Sequence, residues 1–194
     1  MILSNLEIQK ALDEKRLIIV PEPSPRKPEH GKYCPYDNTT SVDLRLHNEL
    51  SVPKGGTFAY DLTEPGAISE QIAKNSEKMV LRRDQPYKLE RGKFVLGWTL
   101  ERVELSTKNG LPYLAARIEG KSSRARCGVL VHFTAPTVHP DWDGNLTLEI
   151  VNLGVTKVAL HFGMAIAQLI IEQVFGQVLP NPSQFQNQST PGGL

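Results

Sequence analysis

Lys121-Ser122-Ser123-Arg124-Ala125-Arg126-Cys127-Gly128 runs directly into Val129-Leu130-Val131-His132-Phe133-Thr134-Ala135-Pro136-Thr137-Val138-His139-Pro140-Asp141-Trp142-Asp143-Gly144-Asn145-Leu146-Thr147-Leu148-Glu149-Ile150-Val151-Asn152. The first segment sets two hydroxyls among three cations. Such a group suits the oxygens of a polyphosphate. The second is an apolar run, a turn bearing Pro, Asp and Gly, and a second apolar run. That pattern predicts two strands joined by a turn. Within the later strand, Leu146, Leu148 and Ile150 fall on one face, and Thr147, Glu149 and Val151 on the other. Glu149 breaks the apolar rhythm. It is either a carboxylate facing water or, in a cleft between subunits, a partly desolvated group that shuttles a proton.

Working outward, candidate strands continue on both sides, at residues 94–105, 114–119, 157–162 and 166–172 beside 129–133 and 146–151. Several are separated by short turns with Gly, Asn or Pro. This spacing predicts an all-β core, a sandwich or a barrel-like sheet. The N-terminal part differs. Ser4-Asn5-Leu6-Glu7 has the form of a capping box, and Ile8, Ala11 and Leu12 follow at helical spacing, so a short helix runs to about Lys15. Residues 17–20 read as a strand. Residues 21–35 hold five prolines and read as a loop. Residues 41–46 alternate Val42, Leu44 and Leu46 against Ser41, Asp43 and Arg45, the pattern of a half-buried strand. Residues 67–75 predict a second short helix with Ile68, Ile72 and Ala73 on one side. The chain thus divides into one domain over 1–179 and a polar tail over 180–194, in which Phe185 is the large apolar residue.

The bulk numbers narrow the function classes. A chain of 194 residues fits one domain with a real core. Its 22 Lys and Arg against 21 Asp and Glu give no general basic surface for nucleic acid or a membrane. A local cluster at Lys121, Arg124 and Arg126 still suits a small anion. No apolar stretch approaches the ~20 residues of a membrane span, and the N-terminus has no secretory pattern. Only Cys34 and Cys127 are present, which argues against a disulfide framework and for the cytoplasm.

Two familiar chemistries fail on spacing. Gly120-Lys121-Ser122 mimics the end of a phosphate-binding P-loop, but the glycine required five residues earlier is Ala115, and strand patterns flank it. A zinc-dependent nucleobase deaminase needs His-x-Glu followed by Pro-Cys-x-x-Cys. Phe133-Thr134 follows His132, Pro140-Asp141 follows His139, and neither cysteine has a partner at the right distance. The histidines and tryptophans read as surface or core residues, and Cys127 as a small buried hydrophobe.

Several segments, in order, resemble the trimeric dUTPase superfamily and, within it, the dCTP deaminases. Thr40-Ser41-Val42-Asp43-Leu44-Arg45-Leu46 is similar to the first shared motif. Lys121 to Gly128 resembles an Arg-Ser-Ser-x-Ala-Arg-x-Gly motif, with Lys in place of the first Arg. Thr134 to Gly144 resembles the hairpin that holds the nucleoside, Ala167-Gln168-Leu169 a late-strand motif, and Phe185-Gln186-Asn187-Gln188 an aromatic-x-x-Gln in the deaminase tail. The deaminase branch carries a Glu on the strand after the hairpin, matched by Glu149. Both branches often have Asp where this chain has His139. That departure weakens a dUTPase reading, because the Asp orients water for phosphate hydrolysis.

The resemblance implies a mainly β, dUTPase-like distorted barrel or sandwich with short N-terminal helices, assembled as a homotrimer. It implies zinc-independent conversion of dCTP to dUTP and ammonia, with Mg²⁺ accompanying the triphosphate and no metal held by the protein. Glu149 would move the proton, with Ser122 and Arg126 placing the water. Lys121, Ser123, Gln168 and Gln188 would hold or close over the triphosphate. Ala135, Val138, His139 and Thr147 would shape the base and sugar pocket. The rivals are a bifunctional enzyme that also hydrolyses dUTP, a plain dUTPase, and a non-catalytic nucleotide-sensing module.

Overall fold

The computed structural model describes residues 1–63, 68–179, 183, 185–188 and 190–192. Its first element is the capped helix read from sequence. Helix α1 (Asn5–Asp13) begins at Ser4, whose hydroxyl accepts the Glu7 N–H, and buries Ile8, Ala11 and Leu12. Strands β1 (Leu17–Val20), β2 (Val42–Arg45), β3 (Glu49–Pro53) and β4 (Ser76–Val80) follow, with helix α2 (Ile68–Lys74) between the last two. Strands β5 (Tyr87–Leu89), β6 (Phe94–Leu105) and β7 (Leu114–Gly120) lead to a one-turn helix, α3 (Ser122–Ala125). The rest is β8 (Val129–Leu130), β9 (Thr137–Val138), β10 (Asp143–Asn152), β11 (Val158–Leu160) and β12 (Ala165–Gln173). Among the described residues no helix is long and apolar enough to cross a membrane.

The strands form a six-stranded sheet, a four-stranded sheet in the order β2-β12-β7-β9, and a β5–β11 pair. These are open sheets, so the sandwich alternative holds and the barrel does not. In the larger sheet β6 is the spine. Strand β10 lies antiparallel along one edge, while β3 meets Leu96 and β1 meets residues 102–105 on the other. Buried residues from both main sheets, including Leu44, Leu169 and Ile171 from one and Val95, Leu148 and Ile150 from the other, belong to one hydrophobic cluster. Each such side chain contributes roughly 1.5–3 kcal/mol of burial. Packing is tight at Gly97, where an added Cβ would lie 2.9 Å from Leu46 Cδ1 and 3.1 Å from Ile150 Cδ1.

An irregularity in β6 shapes the strand that carries Glu149. Asn145 pairs with Arg102 and Thr147 with Trp98, so β6 has three residues where β10 has one. The surplus is taken up by Thr99, whose hydroxyl accepts the Leu146 N–H at 2.9 Å and donates to the Glu101 carbonyl at 2.7 Å. Such bulges bend and re-aim a strand. Here the bulge also turns Glu101 inward. Its carboxylate is fully buried and takes the Arg45 Nε–H at 2.6 Å and the Arg45 backbone N–H at 2.8 Å. Burial raises the pKa of Glu101, and the Arg45 contacts oppose that rise.

Several sequence expectations change. Strand β2 is not half-buried by alternation, because Ser41 and Asp43 are only 2% exposed. The Pro-rich loop folds over that face: Asp43 N–H donates to the Pro35 carbonyl, and Tyr33 Oη and Asn38 Nδ2 donate to the Asp43 carboxylate. Only Val129–Leu130 of the expected 129–133 strand is paired. Helix α2 leaves Ala73 exposed and Ile72 half-buried; Ala67, its expected start, lies outside the described residues. Cys127 is exposed rather than buried, because the α3 turn ends beside it and points its Sγ back toward the Ser123 carbonyl, 3.7 Å away. Trp98 is buried, whereas Trp142 is only half-buried.

Candidate active site

Strand β10 forms the floor of a cleft of about 490 Å³. Alternation turns Leu148 and Ile150 into the core and leaves Thr147 and Glu149 half-buried toward the cleft. Leu96, the register partner of Glu149 on β6, lines the same space. The segment from Thr134 to His139 supplies a wall. It is fixed by the β9–β7 pairing of Val138 with Ala116 and by the Ile118 N–H donating to the Pro136 carbonyl at 3.0 Å. Ala135 adopts a φ of 59° there, a conformation usual for glycine and uncommon for alanine. Val138 is buried in that wall, and His139 stands exposed on the rim.

The described tail residues lie on the cleft. Gln188 is 9% exposed, and its Nε2 donates to the Asn145 carbonyl at 2.7 Å and to Thr147 Oγ1 at 3.0 Å. Asn187 N–H donates to the Asp143 carbonyl at 3.0 Å, and Gln186 Nε2 to the Asp141 carbonyl at 2.8 Å. Phe185 lines the same cavity. On the far side stands Ile72 of α2, packed where a Cβ on Gly192 would lie 3.1 Å from its Cγ2. The cavity is therefore apolar over most of its wall, with a carboxylate, an amide, two imidazoles and several hydroxyls among its lining. This is the composition expected of a small-molecule site.

Among the residues expected to act together, the structure gathers one set and separates another. Ala135, Val138, His139, Thr147, Glu149 and Gln188 share the cleft. Ser122, Ser123 and Arg126 are exposed on the α3 turn, and none of them lines it. Lys121 and Arg124 face a second cavity, of about 520 Å³, beside Tyr33, Asn38 and Asp43. Lys121 is ion-paired there with the buried Asp43 carboxylate. The Tyr33 phenol, held against that carboxylate, is pushed up in pKa by burial first and by the hydrogen bond second. Gln168 sits on β12 opposite Asp43 and Glu119, and its Oε1 accepts the Ser41 hydroxyl at 3.2 Å, away from the Glu149 cleft. Among the described residues no group of three or more His, Cys, Asp or Glu side chains is placed to hold a metal ion.

One neighbour of Glu149 escaped the sequence reading. His132 Nδ1 approaches Glu149 Oε2 at 2.8 Å. The sequence carries no signal for it: the approach depends on the pairing of Leu130 with Val151 at the end of the β8–β10 ladder, two residues from each partner.

The chain matches the family described as dCTP deaminase-like over residues 2–174. It is 35% identical over 173 residues to a protein of Dictyoglomus turgidum named dCTP deaminase, dUMP-forming, covering 87% of this chain and 78% of that one. It is 35% identical over 175 residues to a dCTP deaminase of Thermomicrobium roseum, covering 90% and 80%. Among solved structures, the 2'-deoxycytidine 5'-triphosphate deaminase of Agrobacterium tumefaciens shares the fold, with a TM-score of 0.61 at 16% identity. That likeness covers 89% of this chain but only 48% of the other, so the chain spans about half of that structure. The strand that presents a half-buried carboxylate to an apolar cleft, paired with a bulged neighbour, is thus found in a chain that belongs to the dCTP deaminase-like family.

Proposed function

We propose that this protein deaminates dCTP to dUTP and ammonia. The observation that carries the reading is Glu149, held half-buried at the floor of an apolar cleft with room for a nucleoside. Water must add at C4 of cytosine while a proton goes to N3. The C4–N bond then breaks as a second proton reaches the amino group, and ammonia leaves. Glu149 serves both steps: it takes the proton from water, delivers it to N3, and returns a proton from the new hydroxyl to the departing nitrogen. Proton transfer by a placed side chain contributes ~10²–10⁴-fold. Placement of the water against C4 supplies a further share.

The residues for that placement, Ser122 and Arg126, stand outside the cleft of their own chain. In this reading a homotrimer brings the cationic turn of one copy against the Glu149 cleft of the next. A closed ring also covers strand faces that a lone copy leaves exposed. Lys121 and Ser123 then meet the triphosphate, with Mg²⁺ travelling on its oxygens, and Gln188 closes the cleft. The substrate pool places the enzyme in the cytoplasm.

A second reading, release of dUMP, is favoured by the name of the Dictyoglomus relative. His139 on the rim lacks the carboxylate that would orient a water for phosphate hydrolysis, so dUTP is the expected product. Incubation with dCTP and Mg²⁺, followed by separation of dUTP, dUMP and pyrophosphate, decides between them. The Glu149→Gln variant should lose at least ~10²-fold in deamination while still binding nucleotide. Near-normal turnover in that variant removes Glu149 from the chemistry.

A further inference from the structure

His132 is not used in the deamination steps above, yet it reaches the group at their centre. Its side chain is 10% exposed, and Nδ1 lies 2.8 Å from Glu149 Oε2. The oxygen lies off the N–H direction, so the approach is not yet an aligned hydrogen bond. Both ring nitrogens of His132 and Oε2 of Glu149 are buried without a hydrogen-bond partner among the described residues. Three unsatisfied polar atoms thus meet at one edge of the cleft. Buried polar groups are rarely left so without a reason. The backbone brings them near each other: β8 pairs with β10 through Leu130 and Val151, and His132 lies two residues beyond the end of that ladder as Glu149 lies two residues before Val151.

We infer that His132 is a positioning residue for Glu149. The inference rests on the deaminase reading. A carboxylate that serves water, N3 and the leaving nitrogen in turn must present one oxygen to all three. The terminal torsion of a glutamate is broad and nearly two-fold, so an unrestrained carboxylate exchanges its oxygens and blurs that geometry. An imidazole N–H on Oε2 holds that oxygen and leaves Oε1 for the reacting atoms. A small ring rotation converts the present 2.8 Å approach into an aligned bond, as catalytic contacts often tighten once substrate binds. The imidazole never touches the substrate; it acts by keeping the general base in one orientation.

The test compares steady-state dCTP deamination by the full-length wild type, His132→Phe, His132→Asn, His132→Gln, Glu149→Gln and the His132→Phe/Glu149→Gln double variant. His132→Phe keeps the ring shape and loses the donor, and should lower kcat by at least ~10-fold with KM within about threefold. His132→Asn carries an amide nitrogen close to the Nδ1 position and should recover most of that loss. His132→Gln, whose amide reaches the Nε2 position instead, should not. In the Glu149→Gln background His132→Phe should give no further loss, because a residue acting only through Glu149 has nothing left to act on. A His132→Phe enzyme with wild-type kcat, or losses that multiply in the double variant, overturns the inference and leaves Glu149 in place. If His132→Phe does not fold, the two amides decide, and equal activity of Asn and Gln overturns it. Absence of dCTP turnover by the wild type overturns the deaminase reading and this inference with it.

Discussion

Gly128 and Gly154 cross backbone on backbone: a Cβ on Gly128 would drive into the Gly154 nitrogen and Cα, and a Cβ on Gly154 into the Cys127 carbonyl. Gly128 closes the cationic turn, and Gly154 follows the strand that carries Glu149. The Leu153 N–H donates to the Gly128 carbonyl at 2.8 Å across the same crossing, and Asn152 Oδ1 accepts the Gly154 N–H at 2.9 Å. The turn and the carboxylate strand are therefore pinned to each other, although their side chains point into different spaces.

Gly128→Ala tests that pin. Gly128 has a φ of +83°, so alanine there carries the left-handed penalty of about 1–2 kcal/mol as well as the backbone clash. Gly163, with a φ of +76° and nothing within 4 Å of an added Cβ, carries the penalty alone. Each kcal/mol lowers the melting temperature of a chain of this size by about 2–4 °C. Gly128→Ala should therefore melt well below Gly163→Ala, as read by calorimetry. Equal melting temperatures would show that the crossing tolerates a methyl group.

The separation of Arg126 from the Glu149 cleft makes a mixing experiment decisive for the shared-site reading. Arg126→Ala and Glu149→Gln should each be nearly inactive alone. If each site takes its turn from one copy and its carboxylate from the next, some boundaries in mixed trimers pair an intact turn with an intact carboxylate. Dissociating and reassembling the two variants together should then restore a substantial share of activity. Light scattering should report three copies of the 21.6 kDa chain. A monomer at micromolar concentration, or mixtures as inactive as their parents, would place the site within one chain or take Arg126 out of it.

Zinc has no place in the proposed chemistry, and Mg²⁺ enters it only with the triphosphate. Purified protein should carry no stoichiometric zinc by elemental analysis. Turnover should survive a zinc-selective chelator as long as Mg²⁺ is present, and should fall when Mg²⁺ is withheld. Tightly bound zinc at one per chain, lost together with activity, would replace Glu149 as the source of the attacking hydroxide.

What could be read from the sequence depended on whether the deciding contact was local. The β10 strand was legible because alternation is local, and it put Thr147 and Glu149 on one face, as found. Helix α1 was legible for the same reason, since Ser4 and Glu7 form its cap. Strands β3 and β4 were not, because Ser76–Val80 is largely exposed and lacks an apolar rhythm. The burial of Asp43 depends on a loop folding over it from residues 33–38, which alternation cannot report. The surplus of two residues in β6, and with it the buried Glu101, appears only when the β6–β10 register is known. His132 was hidden likewise: as a lone histidine it says little, and only its cross-strand partner gives it a role.

The tail supplies the last prediction. The resemblance implies that Gln188 holds or closes over the triphosphate, and the described tail residues already reach across the cleft, with Gln188 on Asn145 and Thr147 and the Thr147 hydroxyl donating to the Pro191 carbonyl at 3.4 Å. Those bonds are few. Ordering a tail of about ten residues costs on the order of 10 kcal/mol in backbone entropy, whereas each neutral hydrogen bond returns only about 0.5–1.5 kcal/mol. Closure should therefore become firm only when a charged ligand adds ionic contacts and excludes bulk water. Truncation after Ser183 removes Phe185 and Gln188 but nothing from the main sheets, so assembly and melting temperature should stay near wild type while dCTP turnover falls sharply. Gln188→Ala should reproduce part of that loss, because Thr147 and the Asn145 carbonyl then lose their partner at the cleft floor. Protease cleavage of the tail should slow when dCTP and Mg²⁺ are added. A truncated enzyme that turns over dCTP like the full chain would reduce the tail to a packed end with no part in closing the site.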